Sequence, residues 1–217
     1  MALQKLALTV DVDYQRGNKT LFTGTTLVGF VGIVNGMRPG AWTYSLDARE
    51  KGGSVTGNFV EALLHGNART PTQLARFVME SDGATNWASA VKALSTSALI
   101  NDAYFIVGGV KAGEGVVIAR DRNKAHDLWY LNESIAQGNQ FFQLETNYDH
   151  DKPVPKADDR RTNGTLNMRM LGQKNVGVGG MTKVMETWPT FNHHTDYTGV
   201  FAAFNTTYTS GYWMPED

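Results

Sequence analysis

Residues 6–14 set Leu6, Leu8, Val10, Val12 and Tyr14 on alternate positions, with Thr9, Asp11 and Asp13 between them. That period of two is the mark of a half-buried strand. Gln15-Arg16-Gly17-Asn18 reads as a turn, and a Thr-rich strand resumes over 20–28, so the pair predicts a hairpin. Residues 28–34 are apolar and glycine-spaced, Asn35-Gly36 and Pro39-Gly40 punctuate the next turn, and 41–49 form a further strand. The first fifty residues therefore predict a β-meander.

The period then changes. A short helix is expected from Asn58 to His65. Thr70-Pro71-Thr72-Gln73 opens another, with Thr70 as N-cap and Pro71 at the first helical position, where its missing N–H costs nothing. Trp87, Val91 and Leu94 share one face of a third helix over 86–96. Strands return at 103–107 and 115–119 around a glycine-rich hairpin, then at 127–131 and 140–145. A Pro- and charge-rich loop covers 150–162, short helices follow at 165–171 and 180–187, and strands at 196–204 and 206–213 close the chain. Helices covering antiparallel sheets make an α+β layered architecture. No repeat or linker divides the 217 residues, so a single domain over 1–217 is expected.

Composition narrows the function. The chain is 41% apolar and 19% charged, with 20 basic against 21 acidic residues and a net charge of −1. It has no block of like charges, so a nucleic-acid partner has no electrostatic support. It has no cysteine, which excludes disulfides, thiolate metal sites and thiol chemistry within these residues. Sequons at Asn18, Asn132, Asn163 and Asn205 favour a secretory route. Met1 to Val10 shows no signal-peptide pattern, and no apolar run is long enough to span a membrane.

Few motifs carry chemistry. Asp149-His150-Asp151 and His193-His194 read as polar surface loops rather than metal ligands, and Gly108-Gly109 to Gly115 joins two strands, a turn rather than a phosphate cradle. No cofactor or metal is expected. One stretch differs: Leu144-Glu145-Thr146-Asn147-Tyr148-Asp149 ends the predicted strand, and Asp158-Asp159-Arg160-Arg161 follows, Arg160 coming thirteen residues after Asn147. An Asn at a strand end can aim its amide N–H at an oxyanion, and a returning Arg can fix a polar network. The same residues also fit a turn and a surface ion-pair cluster, and their pattern alone leaves both readings open.

The T-N-Y-D and D-D-R-R segments at this spacing resemble the acid ceramidase and N-acylethanolamine acid amidase family of N-terminal nucleophile hydrolases. So do Gly29-Phe30-Val31-Gly32, Gly36-Met37-Arg38-Pro39-Gly40, the run from Ala103 through Gly108-Gly109 to Gly115, and Val117 to Arg122. The resemblance runs from about Leu6 to Thr198. It implies an αββα sandwich of two stacked antiparallel sheets, incomplete at its N-terminus, and an amidase made as a precursor that cuts itself at a cysteine. That cysteine would attack the amide carbon of an N-acyl lipid, its own α-amine moving the proton. By the resemblance, Asn147 is the oxyanion donor, Arg160 orients the polar groups of the site, and Arg161 braces the structure by pairing with Asp158 or Asp159.

Acid ceramidase-like hydrolysis of ceramide to sphingosine and fatty acid is the activity implied, with N-acylethanolamine hydrolysis or non-catalytic lipid binding as alternatives. A small subunit from the same precursor, contact with a membrane surface and a lysosomal or secreted location come with the same resemblance. The chain also departs from the family. The nucleophilic cysteine and a following G-R-N-x-D segment are absent, so the sequence reads as an N-terminally truncated large subunit, inactive alone and with unpaired sheet edges. Where relatives read L-N-E-R, this chain has Leu46-Asp47-Ala48-Arg49: Ala48 replaces an acidic residue and Asp47 replaces the Asn.

Overall fold

The computed structural model describes residues 8–49, 55–64, 66–132 and 141–212. Seven strands form one antiparallel sheet whose spatial order is the order of the sequence: β1 (Thr9–Arg16), β2 (Lys19–Leu27), β3 (Asn35–Arg38), β4 (Trp42–Ala48), β5 (Ala103–Gly108), β6 (Gly115–Arg120) and β7 (Ala125–Tyr130). Three helices lie between β4 and β5: α1 (Val55–Leu64), α2 (Pro71–Glu80) and α3 (Trp87–Thr96). The helices α4 (Arg160–Leu171) and α5 (Val178–Met185) come later in the chain, and a second sheet is the hairpin β8 (Tyr197–Ala202) and β9 (Thr207–Tyr212).

Alternation assigns the faces of the large sheet. Phe22, Trp42, Tyr44, Phe105, Val107 and Ile118 point one way and bury against Leu74, Val78 and Met79 of α2 and Val91 and Leu94 of α3. Burying each of these large side chains contributes about 1.5–3 kcal/mol, which makes this the main core. Tyr104, Val117 and Ala119 point the other way. There β8 and β9 cover β1 to β3 through polar ties: Tyr208 Oη meets Thr25 Oγ1 at 2.6 Å, Tyr197 donates to Asn35, and Ser210 donates to Asp11. A third cluster, Phe142, Met168 and Val184, joins α4 and α5 to the segment after β7. Helices, large sheet, small sheet and helices stack in that order, the αββα arrangement.

Two of the predicted helix starts hold: Thr70 and Gln73 form a capping box with Pro71 in the first turn, and Asn86 and Ser89 form a second box. The C-terminal ends of these helices are closed from a distance. Arg38 donates to the carbonyls of Met79, Ser81 and Ala84. The fully buried Arg120 donates to those of Leu94 and Ser97.

Three expectations fail. Asn35-Gly36 is not a turn but the start of β3. Gly36 is there for close approach, since a Cβ would meet Ile33 Cδ1 at 3.2 Å and the Thr23 carbonyl at 3.3 Å. Residues 141–145 form no strand; Phe142 turns instead into the α4–α5 cluster. The loop expected through 162 ends at Asp159, and Arg160 and Arg161 open α4. Two cations in a first turn oppose the helix dipole, so local propensity argues against a start that tertiary contacts impose. His65, Gln140 and Trp213 lie outside the described residues.

Candidate active site

At the end of β4 the chain presents Asp47, Ala48 and Arg49. Asp47 sits on the inner face, because Trp42, Tyr44 and Leu46 alternate toward the helices. Arg49 is buried and ties together parts of the chain far apart in sequence. Its Nε donates to Asp149 Oδ1 at 2.9 Å and its Nη1 to Asp121 Oδ1 at 2.7 Å. Tyr104 of β5 donates its hydroxyl to the same Asp149 oxygen at 2.6 Å. Asp149, read from sequence as part of a solvated loop, is therefore the buried anchor of its segment, 5% exposed. Its neighbours go elsewhere: His150 stacks on Trp129 with ring centroids 4.4 Å apart, and Asp151 pairs with Lys152 at the surface. His193 and His194 are exposed, as a surface loop requires.

Anchoring Asp149 fixes Asn147 two residues before it. Asn147 has φ 51°, a left-handed conformation that Asn tolerates better than most residues. Its side chain bridges two elements. Nδ2 donates to the Ala48 carbonyl at 3.0 Å, and Oδ1 accepts from Arg160 Nη2 at 2.9 Å. Arg160, which donates only, thereby sets the orientation of the amide. An Asn amide nitrogen has two hydrogens, and Ala48 takes one.

Arg160 is itself clamped by Asp158, through Nε at 2.7 Å and Nη2 at 2.5 Å. Asp158 thus pairs with Arg160, not with Arg161. Arg161 braces the segment through its backbone instead, donating to the carbonyls of Tyr148, Asp149, His150 and Lys152 while its guanidinium lies 4.0 Å from the Tyr148 ring centroid. The two residues singled out in the sequence, Asn147 and Arg160, are in direct contact.

Two carboxylates beside this pair were not singled out as site residues. Burial pushes the Asp47 carboxyl up to about 6, against the pull of the Arg160 guanidinium. Burial likewise pushes Glu145 up to about 7; the Thr146 N–H lowers it and the Asp47 charge raises it. The Arg160 hydrogen bond holds Asp158 below the usual carboxylate range. A raised carboxyl stabilises the fold most when protonated, so the contribution of Asp47 and Glu145 is complete below about pH 4. It is lost as pH rises through about 6 and about 7. The Asp158 contribution runs the other way and fades only in stronger acid. Thermal unfolding should therefore show a higher Tm at pH 5 than at pH 7.5, and the difference should shrink in Asp47→Asn and Glu145→Gln. A Tm that rises from pH 5 to 7.5 in the unaltered chain would contradict this.

Two cavities flank the site. One of about 410 Å³ opens at the end of β4 between Phe30, Ala48, Pro71 and Asp102. The other, about 250 Å³, lies behind the Asn147 segment against Tyr104, Trp129 and Glu145. Among the described residues no three His, Asp or Glu side chains are arranged to hold a metal ion, and no helix is long and apolar enough to cross a membrane. Asn18, Asn132 and Asn205 are exposed, whereas Asn163 lies in α4 with its amide donating to the Asp159 carbonyl.

No protein-family model matches the chain. It is 38% identical over 196 residues to the N-acylethanolamine-hydrolyzing acid amidase of Cavia porcellus, a match covering 90% of this chain and 53% of that relative. It is 33% identical over 193 residues to the acid ceramidase of Bos taurus, covering 88% of this chain and 47% of that relative. The chain thus spans about half the length of the curated relatives it matches. A Caenorhabditis elegans N-acylethanolamine-hydrolyzing acid amidase ortholog superposes with a TM-score of 0.82 at 28% identity, covering 98% of this chain and 90% of that one.

Proposed function

Because the chain belongs to the same family as the acid ceramidases and the N-acylethanolamine-hydrolyzing acid amidases, we propose that it carries the oxyanion-stabilising half of an N-acyl amide hydrolase site. The observation that carries this reading is the hydrogen-bonded run from Arg160 through Asn147 to the Ala48 carbonyl. In acyl transfer the amide carbonyl oxygen gains negative charge as the nucleophile adds, and a fixed N–H donor then binds it more strongly than in the ground state. The second Asn147 N–H is that donor. Arg160 keeps the amide from rotating, and Asp158 keeps Arg160 in place.

The 217 residues contain no cysteine, so the attacking thiolate comes from outside them. The substrate is an amide with a long acyl chain, each buried CH₂ contributing about 0.8 kcal/mol. Ceramide hydrolysis to sphingosine and fatty acid and N-acylethanolamine hydrolysis both fit. The higher identity to the ethanolamine amidases supports the second. Exposed Phe59, Leu63 and Leu64 on α1 support contact with a lipid surface or a companion subunit. The exposed Asn18, Asn132 and Asn205, each opening a sequon, support a secretory or lysosomal location.

The test compares the 217-residue chain with a longer polypeptide that also carries the cysteine segment, on fluorogenic N-acyl amides. The short chain should show no turnover and the longer one should hydrolyse them. Turnover by the short chain alone would remove the external thiol from the reading, and inactivity of the longer one on every N-acyl amide offered would remove the amidase.

A further inference from the structure

Arg160 is not saturated. Its Nε and Nη2 are engaged with Asp158 and Asn147, while its Nη1 has no hydrogen-bond partner among the described residues. Asp47 is in the complementary condition. Its carboxylate is half-buried on the inner face of β4 and accepts no hydrogen bond among the described residues. Apart from Asp158, it is the carboxylate whose charge reaches Arg160. It also precedes Ala48, whose carbonyl holds the Asn147 amide, and Ala48 has no polar group of its own to offer. A half-buried, unbonded carboxylate is costly to keep charged unless a cation lies nearby.

We propose that Asp47 is a positioning residue of this site, acting on Arg160 and through it on the orientation of the Asn147 amide. The surroundings make the effect directional. Across the sheet Asp47 stands opposite Tyr104 in register, and the Tyr104 hydroxyl is committed to Asp149. From the segment before α4 comes Glu145, whose negative charge opposes that of Asp47, and from α4 come Arg160, whose charge acts on Asp47, and Arg161, whose charge acts on Glu145. Arg49, next but one in the chain, is occupied by Asp121 and Asp149. Arg161 also leaves its Nε without a hydrogen-bond partner among the described residues, but Arg160 is the cation whose charge reaches Asp47. When Asp47 is charged it draws the free side of the Arg160 guanidinium toward β4, the element that also holds Asn147. When Asp47 is neutral, Asp158 alone directs the guanidinium. The orientation of the Asn147 amide then depends on the charge of a residue that does not touch it.

The consequence for catalysis rests on the amidase reading, but the primary test does not. In the 217-residue chain, the Arg160 Nε–H and Asn147 side-chain amide resonances should titrate together, with a midpoint near the Asp47 value of about 6. The inflection should vanish in Asp47→Asn, return in Asp47→Glu, and persist in Glu145→Gln. In Asp47→Asn the midpoint of Glu145 should also fall, because a neighbouring negative charge is gone. Resonances invariant between pH 4.5 and 7.5 in the unaltered chain would overturn the proposal, and so would an inflection that survives Asp47→Asn. In a longer, active polypeptide Asp47→Asn should lower kcat about 10- to 100-fold with KM little changed, and Asp47→Glu should restore it. Coupled resonances in a protein that hydrolyses no amide would leave Asp47 its positioning role and count against the amidase.

Discussion

Replacing Asp149 with alanine is expected to cost about 3–5 kcal/mol of folding stability, the usual result of stranding a buried charge. Arg49 would keep Asp121, whose side chain is 39% exposed, but would lose the carboxylate facing its Nε and Nη2. Tyr104 would lose the acceptor of its hydroxyl, and Asn147 the anchor two residues on. A urea unfolding curve gives the number, since the midpoint should fall while the slope stays near its original value. Arg49→Met combined with Asp149→Leu should recover much of the loss, because removing both charges leaves neither uncompensated. A single-variant loss below about 1 kcal/mol would show that solvent reaches this pair as it reaches a surface ion pair.

Removing the Asn147 amide should act on rate instead. In a polypeptide that turns over, Asn147→Ala is expected to lower kcat about 10²- to 10³-fold with KM changed little, as for loss of one oxyanion donor. The left-handed backbone at this position complicates alanine, which pays about 1–2 kcal/mol there. Asn147→Gly keeps that conformation at no steric cost while deleting the same amide. Equal losses in both variants would assign the effect to the amide. A rate within about threefold of the original in the glycine variant would place the oxyanion donor elsewhere.

Much of the scaffold could be read from periodicity because its strands alternate cleanly and its helices carry capping residues. Thr70 and Asn86 announce α2 and α3, and the Gly113-Glu114 turn announces the β5–β6 hairpin. What could not be read was decided at long range. The start of α4 is set by Asp158 and Asn147 holding Arg160, and Asn147 lies thirteen residues away, beyond the reach of any local pattern. The Arg49–Asp149 pair joins positions 100 residues apart, and an aspartate in a polar turn looks the same from its neighbours whether it is buried or solvated. Asn147 and Arg160 were found through resemblance, since their local pattern fits an ordinary turn equally well. Asp47 stands where the resemblance places an Asn, but a strand pattern cannot show that its charge reaches Arg160.

The seven strands of the large sheet lie side by side in the order in which a ribosome would make them. Each can therefore zip onto its predecessor as it emerges, with only the α1–α3 excursion interrupting the series. The β8–β9 hairpin follows all seven and must travel back to β1 and β3, where Tyr197 meets Asn35 and Ser210 meets Asp11, partners 162 and 199 residues away. During synthesis, the polar inner surface of β1 to β3 stays uncovered until β8 and β9 have been made. Closing it is a long-loop step whose entropic cost falls after the rest of the sheet already exists.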